Sequence, residues 1–163
     1  MAFSPIRSPL KTEDILIGAL LRVPAQAIHR RIIAALNAAG FDELALPHIA
    51  VFQYPGPDGI RPSILAERAG ISKQAMNQLL KSLENLGYIA RSDSPDEGRS
   101  RIVRLTKRGH AAFSKIYGIL LEIEREWTAE LGARDFKQFK KLLGRVWESD
   151  LVRQAASCPG SRK

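Results

Sequence analysis

The sequence is poor in cysteine and in long apolar runs. Cys158 is the one cysteine among 163 residues, which excludes an internal disulfide and leaves a cysteine-based zinc site without ligands. No stretch is long and apolar enough to predict a transmembrane helix, and the N-terminal residues lack the pattern of a signal peptide. The chain is therefore expected to be a cytoplasmic protein with no membrane partner.

Sequence motifs of enzymes are also missing. The three histidines, His29, His48 and His110, are scattered without a metal-binding spacing, so neither a metal nor another cofactor is expected. No glycine-rich phosphate loop, nucleophile elbow or dinucleotide fingerprint is present. Enzymatic activity is the least supported interpretation of this chain, because no sequence motif indicates the polar pocket that an enzyme would need.

Acidic residues are outnumbered. Against 25 Lys and Arg there are 17 Asp and Glu, which gives a formal net charge of +8. The middle of the chain carries most of the excess, with 10 basic and 5 acidic residues between positions 61 and 110. Because a basic protein favours polyanionic partners, we expect this stretch to contain a contact with nucleic acid.

Helical periodicity dominates both ends of the sequence. Apolar residues recur at intervals of three and four over residues 15–36 and again over residues 111–147, which predicts long helices. Pro24 interrupts the first pattern and predicts a kink or a break, with a second segment running from there to about Ala39. Gly40 is predicted to end that segment.

The centre of the chain predicts a helix-turn-helix followed by a β-hairpin. Pro62 can open a helix that Gly70 ends, and Ser72 is a good N-cap for the next helix, which stops before Gly87. Two segments that alternate in strand fashion follow, and Thr106 caps the helix after them. The predicted elements are helices over 46–53, 62–69 and 72–86 and strands over 88–91 and 101–105.

The helix after Ser72 has an apolar face and an amide-rich polar face. Asparagine and glutamine can form bidentate hydrogen bonds to adenine in the major groove, while lysines suit phosphates or guanine. The polar face therefore favours binding to duplex DNA, and the alternative is an ordinary solvated helix surface. The candidate DNA contacts on this helix are Ser72, Lys73, Gln74, Asn77, Gln78 and Lys81.

The loop of the predicted hairpin, residues 94–101, places Arg99 near its tip and Arg101 at its base. Arginine is the side chain suited to a narrow, electronegative minor groove, which makes both residues candidate DNA contacts. The alternative is an ordinary polar turn, since basic loops are common.

Three motifs in residues 64–109 resemble the DNA-binding half of the MarR family of winged-helix transcriptional regulators. In chain order they are LAERAGIS before the predicted second helix of the helix-turn-helix, LENLGYI after it, and Arg-Leu-Thr-x-x-Gly at the end of the hairpin. The family's Asp-x-Arg element in the wing corresponds here to Glu97, Gly98 and Arg99, so the acid is longer. Gln78 stands where the family often has arginine.

The resemblance implies a mainly α (α+β) fold in which N- and C-terminal dimerisation helices flank a winged helix-turn-helix. We expect a helical dimerisation region over residues 12–40 and 107–150, a DNA-binding domain over 44–109 and a disordered tail over 152–163. The implied function is sequence-specific regulation of transcription, most often repression, by a homodimer on a pseudo-palindromic operator in double-stranded DNA.

The resemblance also implies a small effector. Family members commonly release DNA when an aromatic or phenolic ligand enters the cleft between the DNA-binding and dimerisation regions. The residues expected to line such a cleft here are His29, His48, Tyr54 and Tyr117.

The C-terminal helices carry more large apolar side chains than a slender helix pair can bury, which favours contact with a second subunit. The alternative is packing against the chain's own N-terminal helix. A rival function is a winged helix used as a protein-interaction module without DNA binding, which would not need cations around one surface. The residues of this apolar set are Trp127, Leu131, Phe136, Phe139, Leu143, Val146 and Trp147.

Overall fold

The computed structural model describes residues 11–52, 59–93 and 101–152. They form a mainly helical protein with a small antiparallel sheet, as the sequence predicts. No helix in these segments is long and apolar enough to cross a membrane. After a 3-10 turn at Thr12–Asp14, the elements are α1 (Ile17–Ala38), α2 (Leu46–Phe52), α3 (Pro62–Ala69), α4 (Lys73–Asn85), β1 (Ile89–Asp93), β2 (Arg101–Leu105), α5 (Lys107–Leu131) and α6 (Ala133–Trp147).

Helix α1 runs unbroken through Pro24 for 22 residues, so the predicted break with a second segment after it does not occur. A proline inside a helix lacks the amide that would bond the preceding turn, but the loss of one hydrogen bond does not by itself end a helix. Ile32 and Leu36 of α1 are buried and pack in the core with α5. The predicted end of this helix is confirmed, since Gly40 follows it with φ of +79°.

The helix-turn-helix forms as local chemistry predicts. Gly70 ends α3 in the left-handed region, with φ of +64°. The Ser72 hydroxyl accepts a hydrogen bond from the Ala75 amide at 3.1 Å and so caps α4. The apolar face of α4 is fully buried through Met76 and Leu80, which leaves the polar face pointing outward.

The hairpin pairs β1 with β2, with Arg91 opposite Val103 in the register. Ile60 extends the sheet, because its backbone exchanges hydrogen bonds of 3.0 and 2.9 Å with Val103. The sequence analysis missed this bridge. Gly59 permits the close approach, since a Cβ there would lie 2.3 Å from Cγ2 of Ile102.

One core joins the winged region to the long helices. Tyr88 lies at its centre, fully buried and packed edge-on against Phe52 with ring centroids 6.0 Å apart. Helix α5 begins beside it, capped by Thr106, whose hydroxyl accepts from the Gly109 amide at 3.1 Å. Helix α1 packs along α5, and Arg31 forms a two-pronged ion pair with Glu126 across them. Helix α4 itself packs against α3, α2 and β1.

Candidate nucleic-acid interface

The outward face of α4 is the main candidate for contact with nucleic acid. All six helix residues that the sequence singled out are exposed to solvent. The hydroxyl oxygen of Ser72 accepts the capping hydrogen bond, which leaves its hydrogen to donate and one lone pair to accept at an interface. The exposed set, on and just before α4, is Ser72, Lys73, Gln74, Asn77, Gln78 and Lys81.

The structure describes only part of the wing. Arg99 lies outside the described residues, and so does the side chain of Arg101, whose backbone pairs with Asp93 at the end of the hairpin. Arg104, two residues before the α5 cap, is exposed on β2. The assignment of Arg99 and Arg101 to DNA therefore stays a prediction.

Arg91 is a residue of this surface that the sequence analysis missed. Its side chain is 15% exposed and lies between β1 and α4, where Nε is 3.2 Å from Oε2 of Glu84. Its Nη2 also donates to the backbone carbonyl of Asn77 at 3.4 Å. The available signal was strand alternation, which puts Arg91 on the same face as buried Ile89.

Arg108 is a second missed residue, in the first turn of α5. Its Nη1 donates to the carbonyl of Leu86 at 2.8 Å, and its Nη2 pairs with Glu43 in the connection between α1 and α2. The guanidinium carbon also stacks 4.5 Å from the ring centroid of Tyr88. Arg108 thereby connects the C-terminal end of α4 to the start of α5 and to the segment between α1 and α2.

Two groups beside Arg108, Tyr88 and Glu43, have shifted pKa values. Burial raises the pKa of the Tyr88 hydroxyl to about 12, so it stays protonated at neutral pH. A hydrogen bond from its own backbone amide lowers the pKa of Glu43, and the charge of Arg108 lowers it further. Glu43 is therefore ionised at neutral pH and remains the anionic partner of Arg108.

A cavity of about 570 Å³ opens along α1 and the start of α2. Of the four residues predicted to bind an effector, His29 alone lines it among the residues that the structure describes. Arg30 lies beside His29 and has no ion-pair partner within the described segments. The lining residues are Gln26, His29, Arg30, Ile33, Ala34, Asn37 and Leu46.

Neither of the two other candidates that the structure describes, His48 and Tyr117, lines this cavity. His48 is buried in the core, where its Nδ1 accepts from the Ala45 amide at 3.0 Å. Tyr117 is exposed on α5 and stacks on Phe113 with ring centroids 6.1 Å apart. Tyr54 lies outside the described residues.

Helices α1 and α6 each expose several large apolar side chains. At the N-terminal end of α1, Leu16 and Ile17 are 83% and 68% exposed. On α6, Phe136 is buried against Trp127, but Val146 and Trp147 are 52% and 59% exposed. The further exposed apolar residues of these two helices are Leu20, Leu21, Val23, Phe139 and Leu142.

No group of three His, Cys, Asp or Glu side chains in the described segments could hold a metal ion.

Comparisons with known proteins agree on one family. A model described as the MarR family matches residues 54–100. The HTH-type transcriptional repressor Rv2887 of Mycobacterium tuberculosis is 30% identical over 135 residues, which cover 82% of this chain and 95% of the repressor. The crystal structure of Rv2887 with salicylic acid has a TM-score of 0.57 at 30% identity, with 83% of this chain and 99% of that chain covered.

Two further solved structures share the fold at lower identity. NadR in complex with 4-hydroxyphenylacetate has a TM-score of 0.67 at 19% identity, covering 85% of this chain and 97% of that chain. The repressor CouR bound to a 23-mer DNA duplex has a TM-score of 0.64 at 20% identity, covering 85% of this chain and 99% of that chain. The arrangement of helices and wing described above is therefore one that occurs in ligand-bound and DNA-bound regulators.

Proposed function

Since the chain belongs to the MarR family of winged helix-turn-helix transcriptional repressors, we propose that it acts as a homodimer on a pseudo-palindromic operator and is released by an aromatic acid. The observation that carries the proposal is the outward face of α4, where Lys73, Gln74, Asn77, Gln78 and Lys81 are all exposed. No apolar side chain interrupts that face, because Met76, Leu80 and Leu83 are buried in the core.

The chemistry of this face suits the major groove of duplex DNA. The amides of Asn77 and Gln78 supply the paired donor and acceptor that an adenine edge requires, and Lys81 supplies a charge for phosphate. Helix α4, which we call the recognition helix, is the element that enters the groove, and the hairpin that follows it is the wing. Arg99 and Arg101 of the wing loop are proposed to contact the minor groove.

The homodimer is supported by the exposed apolar surface. Leu16 and Ile17 at one end of α1, and Val146 and Trp147 on α6, would leave a large apolar patch in contact with water if the protein were a monomer. In the proposed two-fold symmetric dimer, each chain buries both patches against the second copy. Two recognition helices about 34 Å apart would then read successive turns of the operator.

The effector is proposed to be an aromatic carboxylate that enters the cavity along α1. Salicylic acid in the Rv2887 complex and 4-hydroxyphenylacetate in the NadR complex both combine an aromatic ring with a carboxyl group. In this chain, Ile33 and Leu46 offer an apolar wall for a ring, and Arg30 offers a cation for a carboxylate. The cavity, about 570 Å³ in volume, has the size of a small-molecule site.

The decisive experiment selects bound duplexes from a random pool with the wild-type protein. A recovered inverted repeat, bound with an affinity that falls steeply as salt rises, is the expected result. A scrambled duplex of the same length and composition is the control for sequence preference. No enrichment and no salt-dependent binding would contradict the proposal and favour the protein-interaction module.

A further inference from the structure

Arg91 joins the wing to the recognition helix. It stands in the third position of β1, opposite Val103, and its side chain crosses to α4 rather than to solvent. There it meets two points of α4, the carboxylate of Glu84 at 3.2 Å and the backbone carbonyl of Asn77 at 3.4 Å. Those two residues are seven positions apart, which is about 10 Å along the helix axis.

We propose that Arg91, held by Glu84, is a positioning residue that fixes the angle between the recognition helix and the wing and thereby sets the preference for the operator over random DNA. This inference rests on the proposed function, since it concerns how the same surface discriminates between sequences. Arg91 itself is not assigned to DNA, because its guanidinium faces α4.

The guanidinium suits this task because it is a rigid, planar fork with donors on separate edges. Its Nε atom is shielded from solvent and makes no conventional hydrogen bond within the described part of the chain, so the carboxylate of Glu84 is its electrostatic partner. Removing that carboxylate leaves a largely buried charge without its anionic partner, which favours movement of the side chain toward water. The wing loses one of its fixed points on α4.

Asn77 connects the contacts of Arg91 to the recognition of DNA bases. Asn77 presents its amide side chain outward while its own carbonyl accepts from Arg91. Reading a base edge requires the recognition helix and the wing to meet their grooves together, whereas non-specific binding depends on the total charge near the phosphates. Loss of the Arg91–Glu84 pair should therefore weaken binding to the operator more than binding to a random duplex.

The test uses the variant Glu84→Ala, for which positioning and charge predict opposite signs. Removing an acid from a DNA-binding surface should strengthen binding to any duplex if charge alone matters. Positioning instead predicts an affinity about fivefold to tenfold weaker for a duplex recovered by selection, with binding to its scrambled counterpart unchanged or tighter. Glu67→Ala on α3 is the matched control, because it removes the same charge from an exposed position.

Arg91→Lys is the second variant, since it keeps the net charge and loses the fork. It should also lower the ratio of selected to scrambled affinity, and in the double variant with Glu84→Ala the two losses should not add. General destabilisation lowers the active fraction for both duplexes alike and leaves the ratio unchanged. Urea unfolding of each variant gives the active fraction independently.

Two results would overturn the proposal: an unchanged ratio in Glu84→Ala, or an Arg91→Lys variant that binds both duplexes like wild type. Failure of the proposed function is distinguishable, because the wild-type protein itself would then show no salt-dependent duplex binding and no sequence preference.

Discussion

Nε2 of His48 lies 3.2 Å from Oγ of Ser82, so a buried imidazole joins α2 to the recognition helix. The Ala45 amide donates to Nδ1 at 3.0 Å, which places the ring proton on Nε2 and makes Ser82 the acceptor. A protonated ring would present a second donor to the Ala45 amide and lose that bond. The folded chain therefore holds His48 in its neutral form.

Burial lowers the pKa of His48 below its ordinary value of 6.5. Between the lowered pKa and 6.5 the unfolded chain binds a proton that the folded chain does not. The free energy of unfolding should therefore be at its full value above about pH 6.5, fall as the pH drops toward the lowered pKa, and level off below it. Urea unfolding at a series of pH values above 5 measures this.

The variant His48→Gln should flatten that pH dependence, since glutamine does not titrate. His110→Gln, an exposed position on α5, is the control and should retain the wild-type slope. The lowered pKa values of Glu43 and Glu126 act near and below pH 4.5, outside this window. A wild-type slope in His48→Gln would show that another group titrates on unfolding.

Gly109→Ala should destabilise the fold. A Cβ at position 109 would lie 2.0 Å from the carbonyl oxygen of Tyr88 and 3.2 Å from Cβ of Leu105, so α5 must move away from the sheet. We expect a loss of about 1 to 3 kcal/mol in the free energy of unfolding, measured in urea. Gly144→Ala on α6 has open space around its Cβ and should gain about 0.5 to 1 kcal/mol. Equal effects at both positions would contradict this account.

Gln78→Ala should lose about 1 to 3 kcal/mol of binding on the selected duplex and relax specificity, because an amide that reads a base edge is removed. Lys81→Ala should weaken binding to all duplexes alike and reduce the salt dependence, as expected for a phosphate contact. Fluorescence anisotropy titrations on selected and scrambled duplexes measure both. Equal losses on the two duplexes for Gln78→Ala would remove this residue from base reading.

The proposed homodimer predicts that the variant Val146→Lys is a monomer. Val146 is already half-exposed in the single chain, so a lysine there leaves the fold intact but places a charge in an apolar interface. Light scattering at micromolar concentration should fall to the mass of one chain, 18.1 kDa. Gln138→Lys on the polar side of α6 adds the same charge and should stay dimeric. A wild-type protein that already scatters as one chain would refute the homodimer.

Arg30→Gln should reduce the response to an aromatic acid while leaving operator binding nearly unchanged. With salicylate as the probe, release of the selected duplex should need a concentration about tenfold or more higher, because a charge-assisted pair with the carboxylate is lost. Lys115→Gln, an exposed position on α5, removes the same charge and should respond like wild type. If salicylate and 4-hydroxyphenylacetate both fail to release DNA from the wild type, the effector belongs to another chemical class.

The elements whose ends depend on neighbouring residues can be derived from the sequence alone. Gly70 supplies a left-handed backbone, and Ser72 and Thr106 each cap a helix through a hydrogen bond to an amide three residues on. The periodicity of α4 likewise fixed which side is buried, so its six candidate DNA contacts could be chosen from the sequence. These features need no information from distant parts of the chain.

Features that depend on contacts between distant segments of the chain appear only in the folded protein. Helix α1 continues through Pro24 against the local preference for a break, and its later residues Ile32 and Leu36 are buried in the core with α5. His48 is at a position that sequence reasoning assigned to a cleft, yet it is buried because Ala45 and Ser82 satisfy both ring nitrogens. Arg91 and Arg108 contact partners at sequence separations that no local pattern encodes. The ion pair of Arg91 with Glu84 and the hydrogen bond of Arg108 to the Leu86 carbonyl therefore form only when the chain is folded.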